Sequence, residues 1–433
     1  MLSLCRCILL GGVAALLLVS CAPAPPPGPS DAEIAARLGD AAPLAPLYRA
    51  LLAAQAGQRS TPVVILQVGD SHTANDSFSG HLRELFQARF GDAGRGVLPP
   101  GVPYQWYRPA RVSVYSQGWS VVSSFRGDPG PFGITGLRQH ADRPAEMALS
   151  VDDPGELAQA EIEVLRQPGG GTIDANGASI STAAASVQAV WLKVPVAAGS
   201  NTLTLRARGD GPVDLLAWSI ARGRPGVIYA NLGTIGASVD LMDQWDQAIL
   251  HQDIAHLAPS LIVLAFGTNE GFRDSTDPTA YAADFAARLR DLRAAAPGAA
   301  LVVLGPPDGE RRRNKRSDAP IACGDPNWTE PRNLDAIREV QRRVAASEHA
   351  YYWDWKAAMG GQCSMMRWAA TRPPYAAPDH VHLFAPGYQA TADLLFHAIM
   401  DGYGRYRSLF PSAPSPQPPP ARGGGGLAFR FSP

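Results

Sequence analysis

The chain is poor in cysteine, with five in 433 residues, three of them within the first 21. The other two, Cys323 and Cys363, have no Cys or His cluster beside them. That is not a zinc pattern, so neither metal nor cofactor is expected. Excess charge of one sign is also lacking. A formal net charge of -1 provides no basic face of the kind nucleic acid needs, and no nucleic-acid partner is expected. The apolar run near the N-terminus is too short for a span, which takes about 20 apolar residues. What is present is an ordinary globular mixture, 46% hydrophobic and 18% charged, long enough for two or three folding units.

Residues 1–20 read as an export signal: Arg6, an apolar run through Val19, then the small Ser20. Leu18-Val19-Ser20-Cys21 resembles a bacterial lipobox, which implies a lipidated Cys21 holding the mature chain to a membrane without a span. By the same resemblance to bacterial lipoproteins, Ala22 inclines the expected location to the outer membrane, facing the periplasm. A plain signal with an incidental cysteine is the alternative. Export makes Cys323 and Cys363 a candidate disulfide; two separate buried thiols remain the other reading. Residues 21–45 are a Pro-rich linker and the start of a helix, with Ser30 and Glu33 spaced for a capping box.

Beyond the linker two textures alternate. Thr61 to Val68 is a continuous β-branched run, as in a strand buried on both faces, and His81, Leu82, Leu85, Phe86 and Phe90 follow at helical spacing. Alternation resumes after Val227: strands at Val227 to Asn231, Leu261 to Phe266, Leu301 to Leu304 and Tyr351 to Trp353. The helices between and after them run Asp240 to His256, Tyr281 to Ala295, Asn333 to Ser347 and Pro386 to Met400. Strand and helix in turn predict an α/β fold, a parallel sheet with helices on both faces, over 46–107 and 225–405. Within 108–224 the period falls to two: Ile162 and Val164 alternate with Glu161 and Glu163, Leu203 and Leu205 with Thr204 and Arg206. This predicts an inserted antiparallel β-sandwich. Residues 412–433, with SPQPPP and GGGG, are too rich in Pro and Gly to pack.

Four short motifs fall at predicted strand ends or before the final helix: Gly69-Asp70-Ser71-His72-Thr73, Asn231 to Gly236, Gly267-Thr268-Asn269-Glu270 and Asp379-His380-Val381-His382. Open α/β sheets place their ligand crevice there. A serine hydroxyl is inert near neutral pH without a positioned base. His382 is the candidate base, and Asp379, three residues earlier, can reach its ring within one turn. Charge building on an ester carbonyl oxygen needs donors already in place. The Ser71 N–H, the Gly236 N–H and the Asn269 amide are candidates. Singly, each residue has an ordinary structural explanation; together, in this order, they point to chemistry. His380 competes as base but lacks the spacing to Asp379. Asp70 and His72 either line the pocket or pack beside Ser71.

These motifs resemble blocks I, II, III and V of the SGNH, or GDSL-like, hydrolases. The resemblance implies a three-layer, flavodoxin-like hydrolase domain, with Ser71 as nucleophile, Gly236 and Asn269 as oxyanion donors, and Asp379 and His382 completing the machinery. Block I reads GDSHT rather than the usual GDSL, and the β module lies between blocks I and II. Both features resemble the peptidoglycan O-acetylesterases of Gram-negative bacteria, whose inserted domain looks like a carbohydrate-binding module. The implied function is serine-dependent removal of O-acetyl groups from a cell-envelope polysaccharide, most readily peptidoglycan. Three alternatives stay open: an O-acetyltransferase, an esterase acting on cellulose or another exopolysaccharide, and a glycan-binding lipoprotein without turnover. The oligomeric state is not legible.

Other features are less specific. Arg311 to Arg316 is either an anion site or a solvated loop. Trp106, Tyr107, Trp119 and Trp218 are candidates for stacking on sugars or for core packing. Trp353, Trp355 and Trp368 are placed near the approach to Asp379. The segment from Gly305 to Pro331 is a candidate lid, which a Cys323–Cys363 bond would pin.

Overall fold

The structure, a computed structural model, describes residues 29–313 and 323–410. Residues 1–28, which include the leader and Cys21, the tail from Ser412, the second half of the arginine run and the middle of the candidate lid lie outside the described residues.

The β-branched runs of the α/β portion form one parallel sheet. Its order is Tyr351–Trp353, Ala300–Leu304, Leu261–Ala265, Val63–Gly69, Val227–Gly233, Asp92–Gly94. The first of these strands in sequence, Val63–Gly69, lies inside the sheet, with Leu261–Ala265 on one side and Val227–Gly233 on the other. The chain reverses its winding there, which opens a crevice at the carboxyl end of Val63–Gly69. Side chains alternate across the sheet. Val63 and Ile65 meet the layer built by the helices Ala45–Gln55, Ser77–Phe90 and Ala385–Arg407. Leu66 and Val68 meet the layer built by Gln247–Leu257, Pro278–Ala295 and Leu334–Ser347. Three layers result, as expected for an SGNH-type domain.

Ser30 and Glu33 make the capping box that opens the helix Asp31–Leu38. Ile34, Leu38 and Leu44 from this early stretch are buried in the core. Two helices differ from expectation. The run from Asp240 to His256 is broken into a 3-10 turn, Val239–Gln244, and a helix, Gln247–Leu257. Trp245 is extended at the break, and Asp246 starts the second helix by accepting the Ile249 N–H. The final helix continues beyond Met400 to Arg407, because Tyr403 and Tyr406 bury their rings against Tyr48.

The period-two region forms two antiparallel sheets. One runs Ala178–Ser181, Thr172–Ala175, Thr202–Ala207, Ala145–Val151, Val112–Gln117; the other runs Gln188–Val194, Gln159–Arg166, Val213–Ala221, Leu137–Ala141, Ser120–Ser123. Met147, Leu149, Leu203 and Leu205 from the first meet Ile162, Val164, Leu215 and Trp218 from the second. Gly96–Leu98, ahead of Arg108 in the chain, also pairs with Val213–Ala221. The outer face of the second sheet is covered by the α/β portion: Trp191 donates to Asp253 at 3.0 Å and Gln252 to the Ala189 carbonyl at 2.9 Å.

Candidate active site

Val63–Gly69 ends in a tight turn into a one-turn helix, Ser71–Ala74. Asp70 caps it, its carboxylate accepting the His72 N–H at 2.9 Å. Only glycine fits at position 69, because a β-carbon there would lie 2.3 Å from Thr73 Oγ1 and 2.5 Å from the Ala265 carbonyl. Gln67 braces the turn from inside the sheet, donating to Thr73 Oγ1 at 2.9 Å and accepting from Tyr229 at 2.7 Å. The Ser71 N–H stands at the helix N-terminus, where backbone donors have no acceptor within the helix.

His382 comes to this turn from the loop before Ala385–Arg407. Its Nε2 is 2.9 Å from Ser71 Oγ, and its Nδ1 is 2.7 Å from Asp379 Oδ2. Asp379 lies in a turn rather than a helix, its other oxygen accepting the Val381 and His382 N–H groups at 2.9 and 3.0 Å. Although burial pushes the Asp379 carboxyl up, the hydrogen bonds from His382 and the Val381 amide win and hold it well below the usual carboxylate range. The hydrogen bond to Asp379 raises the His382 pKa above its ordinary 6.5; burial opposes the rise and the charges of Asp379 and Asp70 add to it.

His380 turns elsewhere. Its Nδ1 meets Glu310 at 2.8 Å, and its ring stacks on Trp328 at 3.7 Å. His72 is buried behind the serine turn, its Nδ1 2.9 Å from the Tyr388 hydroxyl and its ring 5.3 Å from that of His382. Burial depresses its pKa to about 3, so it is neutral and adds no charge beside His382. Asp70 is also buried, and burial pushes its carboxyl up to about 7 against the His72 N–H.

The other two motifs converge on the same end of the sheet. The Thr234 N–H donates to the Gly69 carbonyl at 2.9 Å, and Asn269 Nδ2 donates to the Ala237 carbonyl at 2.8 Å. Gly236 sits between these ties at φ +81°, a conformation that favours glycine. An amide nitrogen carries two hydrogens, so Asn269 retains one beyond its bond to Ala237.

Sequence reasoning did not single out Glu270, which fastens the two oxyanion loops together. Its carboxylate accepts the Val239 N–H at 2.8 Å and the Gly267 N–H at 3.0 Å. The spacing of Glu270 three residues after Gly267 was the available signal. Tyr388, which packs on His72, carried none; Trp355, expected near the approach to Asp379, packs on His72 as well. Of the candidate aromatics, Trp218, Tyr107, Trp353 and Trp355 are core residues, whereas Trp106 is 74% exposed. Arg311 pairs with Asp274, and Arg312 lies over the Trp328 ring. Cys323 and Cys363 are joined as a disulfide. No cluster of three or more metal-ligating side chains occurs among the described residues.

A turn-mounted serine in contact with a His–Asp pair, facing two loops of backbone and amide donors, is the constellation of an acyl hydrolase. Residues 196–390 match the model of the GDSL-like Lipase/Acylhydrolase family. The chain therefore carries a GDSL-like domain over this stretch and is an ester hydrolase. The matched stretch holds Gly236, Asn269, Asp379 and His382; Ser71 precedes it and is joined to them by the fold.

Among solved structures, one described as a peptidoglycan O-acetylesterase in action is similar over 84% of this chain and 96% of its own, at 27% identity and TM-score 0.70. A family two carbohydrate esterase from Clostridium thermocellum, in complex with cellohexaose, aligns over 68% of this chain and 100% of its own, at 13% identity and TM-score 0.29. No curated protein matches the chain.

Proposed function

We propose that this hydrolase removes O-acetyl groups from a cell-envelope polysaccharide, with peptidoglycan as the favoured substrate. The observation that carries the reading is the unbroken contact from Ser71 Oγ through His382 to Asp379. The similarity to a peptidoglycan O-acetylesterase over 84% of the chain supports the substrate class. Ser71 Oγ attacks the acetyl carbonyl while His382 Nε2 takes its proton. The resulting oxyanion is met by the Ser71 and Gly236 N–H groups and the spare hydrogen of Asn269. His382 then returns the proton to the departing sugar oxygen. Water, deprotonated by the same ring, attacks the acetyl-serine and releases acetate. Asp379 keeps the imidazole in the tautomer that leaves Nε2 free to accept, and stabilises the imidazolium. In this reading the enzyme works on the periplasmic side of the envelope, as the export-signal and lipobox pattern of residues 1–21 implies, and the Cys323–Cys363 bond suits that oxidising compartment.

The test is acetate release from O-acetylated peptidoglycan, set beside acetylated cellulose and xylan, for the parent and Ser71→Ala. The parent is expected to prefer peptidoglycan, and the variant to lose at least about 10³-fold in kcat/KM on every ester. Equal turnover by the two proteins would sink the serine mechanism. Preference for cellulose or xylan would move the substrate, and predominant transfer to an added acceptor glycan would replace hydrolysis with acetyl transfer.

A further inference from the structure

The inserted sandwich reaches the hydrolase site itself. Its short turn Ser124–Arg126 sets the Phe125 ring against the oxyanion loop, so close that a β-carbon on Gly236 would lie 3.1 Å from Phe125 Cζ. The turn is clamped from both portions of the molecule. Ser124 donates through its N–H and Oγ to the Gly136 carbonyl at 3.0 and 2.8 Å, and Trp245 Nε1 donates to Ser124 Oγ at 3.2 Å. Phe125 is thus held in place, yet it is 49% exposed, and Ile235, beside Gly236 in the chain, is 50% exposed. Large apolar side chains left in water next to polar donors cost burial free energy that a ligand can recover.

From this juxtaposition we propose that Phe125, together with Ile235, is a specificity-determining surface that takes the apolar face of the sugar ring bearing the ester. The sandwich then forms one wall of the catalytic cleft. A pyranose offers a CH face ringed by hydroxyls, which suits an aromatic ring beside hydrogen-bond donors. A rim open to solvent fits the alcohol side of the ester, since the polymer must pass through the cleft while a small acetyl group need not. The inference rests on the glycan reading above.

The experiment compares kcat/KM on O-acetylated peptidoglycan with kcat/KM on 4-nitrophenyl acetate for the full chain and for Phe125→Ala and Phe125→Trp. The ratio of the two constants does not depend on the fraction of protein folded. For Phe125→Ala this ratio is expected to fall about tenfold, mainly through KM on the glycan, and Phe125→Trp is expected to restore most of it. An unaltered ratio in Phe125→Ala would overturn the assignment. So would a changed preference among acetyl, propionyl and butyryl 4-nitrophenyl esters, because Phe125 would then line the acyl side. If the parent cleaves the small ester but no acetylated glycan, the glycan reading itself fails and takes this proposal with it, an outcome separate from a parent that cleaves glycan with an indifferent variant.

Discussion

Two of the buried acids, Asp76 and Glu163, are neutralised in different ways. Behind the serine turn, Asp76 is enclosed by cations and donors: Arg83 at 2.8 Å, Arg95 at 3.0 Å and the Ala110 N–H at 2.8 Å. Burial pushes its carboxyl up, but the two arginines outweigh burial and hold it far below the usual range. Where the sandwich meets the helix Gln247–Leu257, Glu163 faces Asp253 with no cation in contact among the described residues. Asp253 accepts from Ile134 and Trp191, whereas neither Glu163 oxygen accepts a bond. Burial, then the Asp253 charge, pushes Glu163 well up, so it keeps its proton. Asp76 is thus held by permanent charge, whereas Glu163 at the junction relies on a proton that solvent can remove.

The largest expected effect sharpens the first half of this contrast. Asp379→Asn keeps the shape of the turn but removes the charge and offers His382 the wrong partner, so kcat is expected to fall about 10⁴-fold. Because the hydrogen bond to Asp379 raises the His382 pKa, and the ring must be neutral to accept the Ser71 proton, the acid limb of kcat/KM in the parent is expected above the ordinary 6.5. It is expected to move to lower pH in the variant, and a fixed limb would show that another group titrates. A smaller effect comes from Asp76→Asn. Asparagine tolerates the left-handed backbone at this position, φ 51°, so the substitution isolates the charge. Leaving Arg83 and Arg95 without an anion is expected to cost about 3–5 kcal/mol in urea unfolding; a loss under 1 kcal/mol would refute the account of Asp76.

The motifs of the first region were legible because its turns demand particular residues. A β-carbon at Gly69 has no room, Asp70 must cap, and Asp379 must reach back to His382. In the second region period-two patterning revealed which residues share a face but not which face meets water. Glu163, alternating with Ile162 and Val164, read as an outward polar residue; its face is outward from the sandwich core, yet the helix Gln247–Leu257 covers it. The break at Trp245 was hidden for a similar reason, since the apolar spacing continues across it and only the Asp246 cap interrupts the backbone. Phe125 carries no motif at all. Its position depends on Ser124, Gly136 and Trp245, which only the fold brings together.

The smallest expected effect tests the second half of the contrast. Glu163 has a folded-state pKa above its ordinary 4.5. Its favourable contribution is therefore complete below that value and is lost as pH rises through the folded pKa, because the native state must give up a proton it holds more tightly than the unfolded chain does. Glutamine at this position cannot ionise and keeps nearly the same shape. Glu163→Gln is thus expected to have little effect on unfolding free energy near pH 4, and to become more stabilising relative to the parent with rising pH, reaching about 1–2 kcal/mol at pH 8. Chemical denaturation at the two pH values measures this directly. A variant equally or more destabilised at pH 8 would mean that Glu163 is ionised and paired in the native state, and the junction would then neutralise its acid with permanent charge as happens at Asp76.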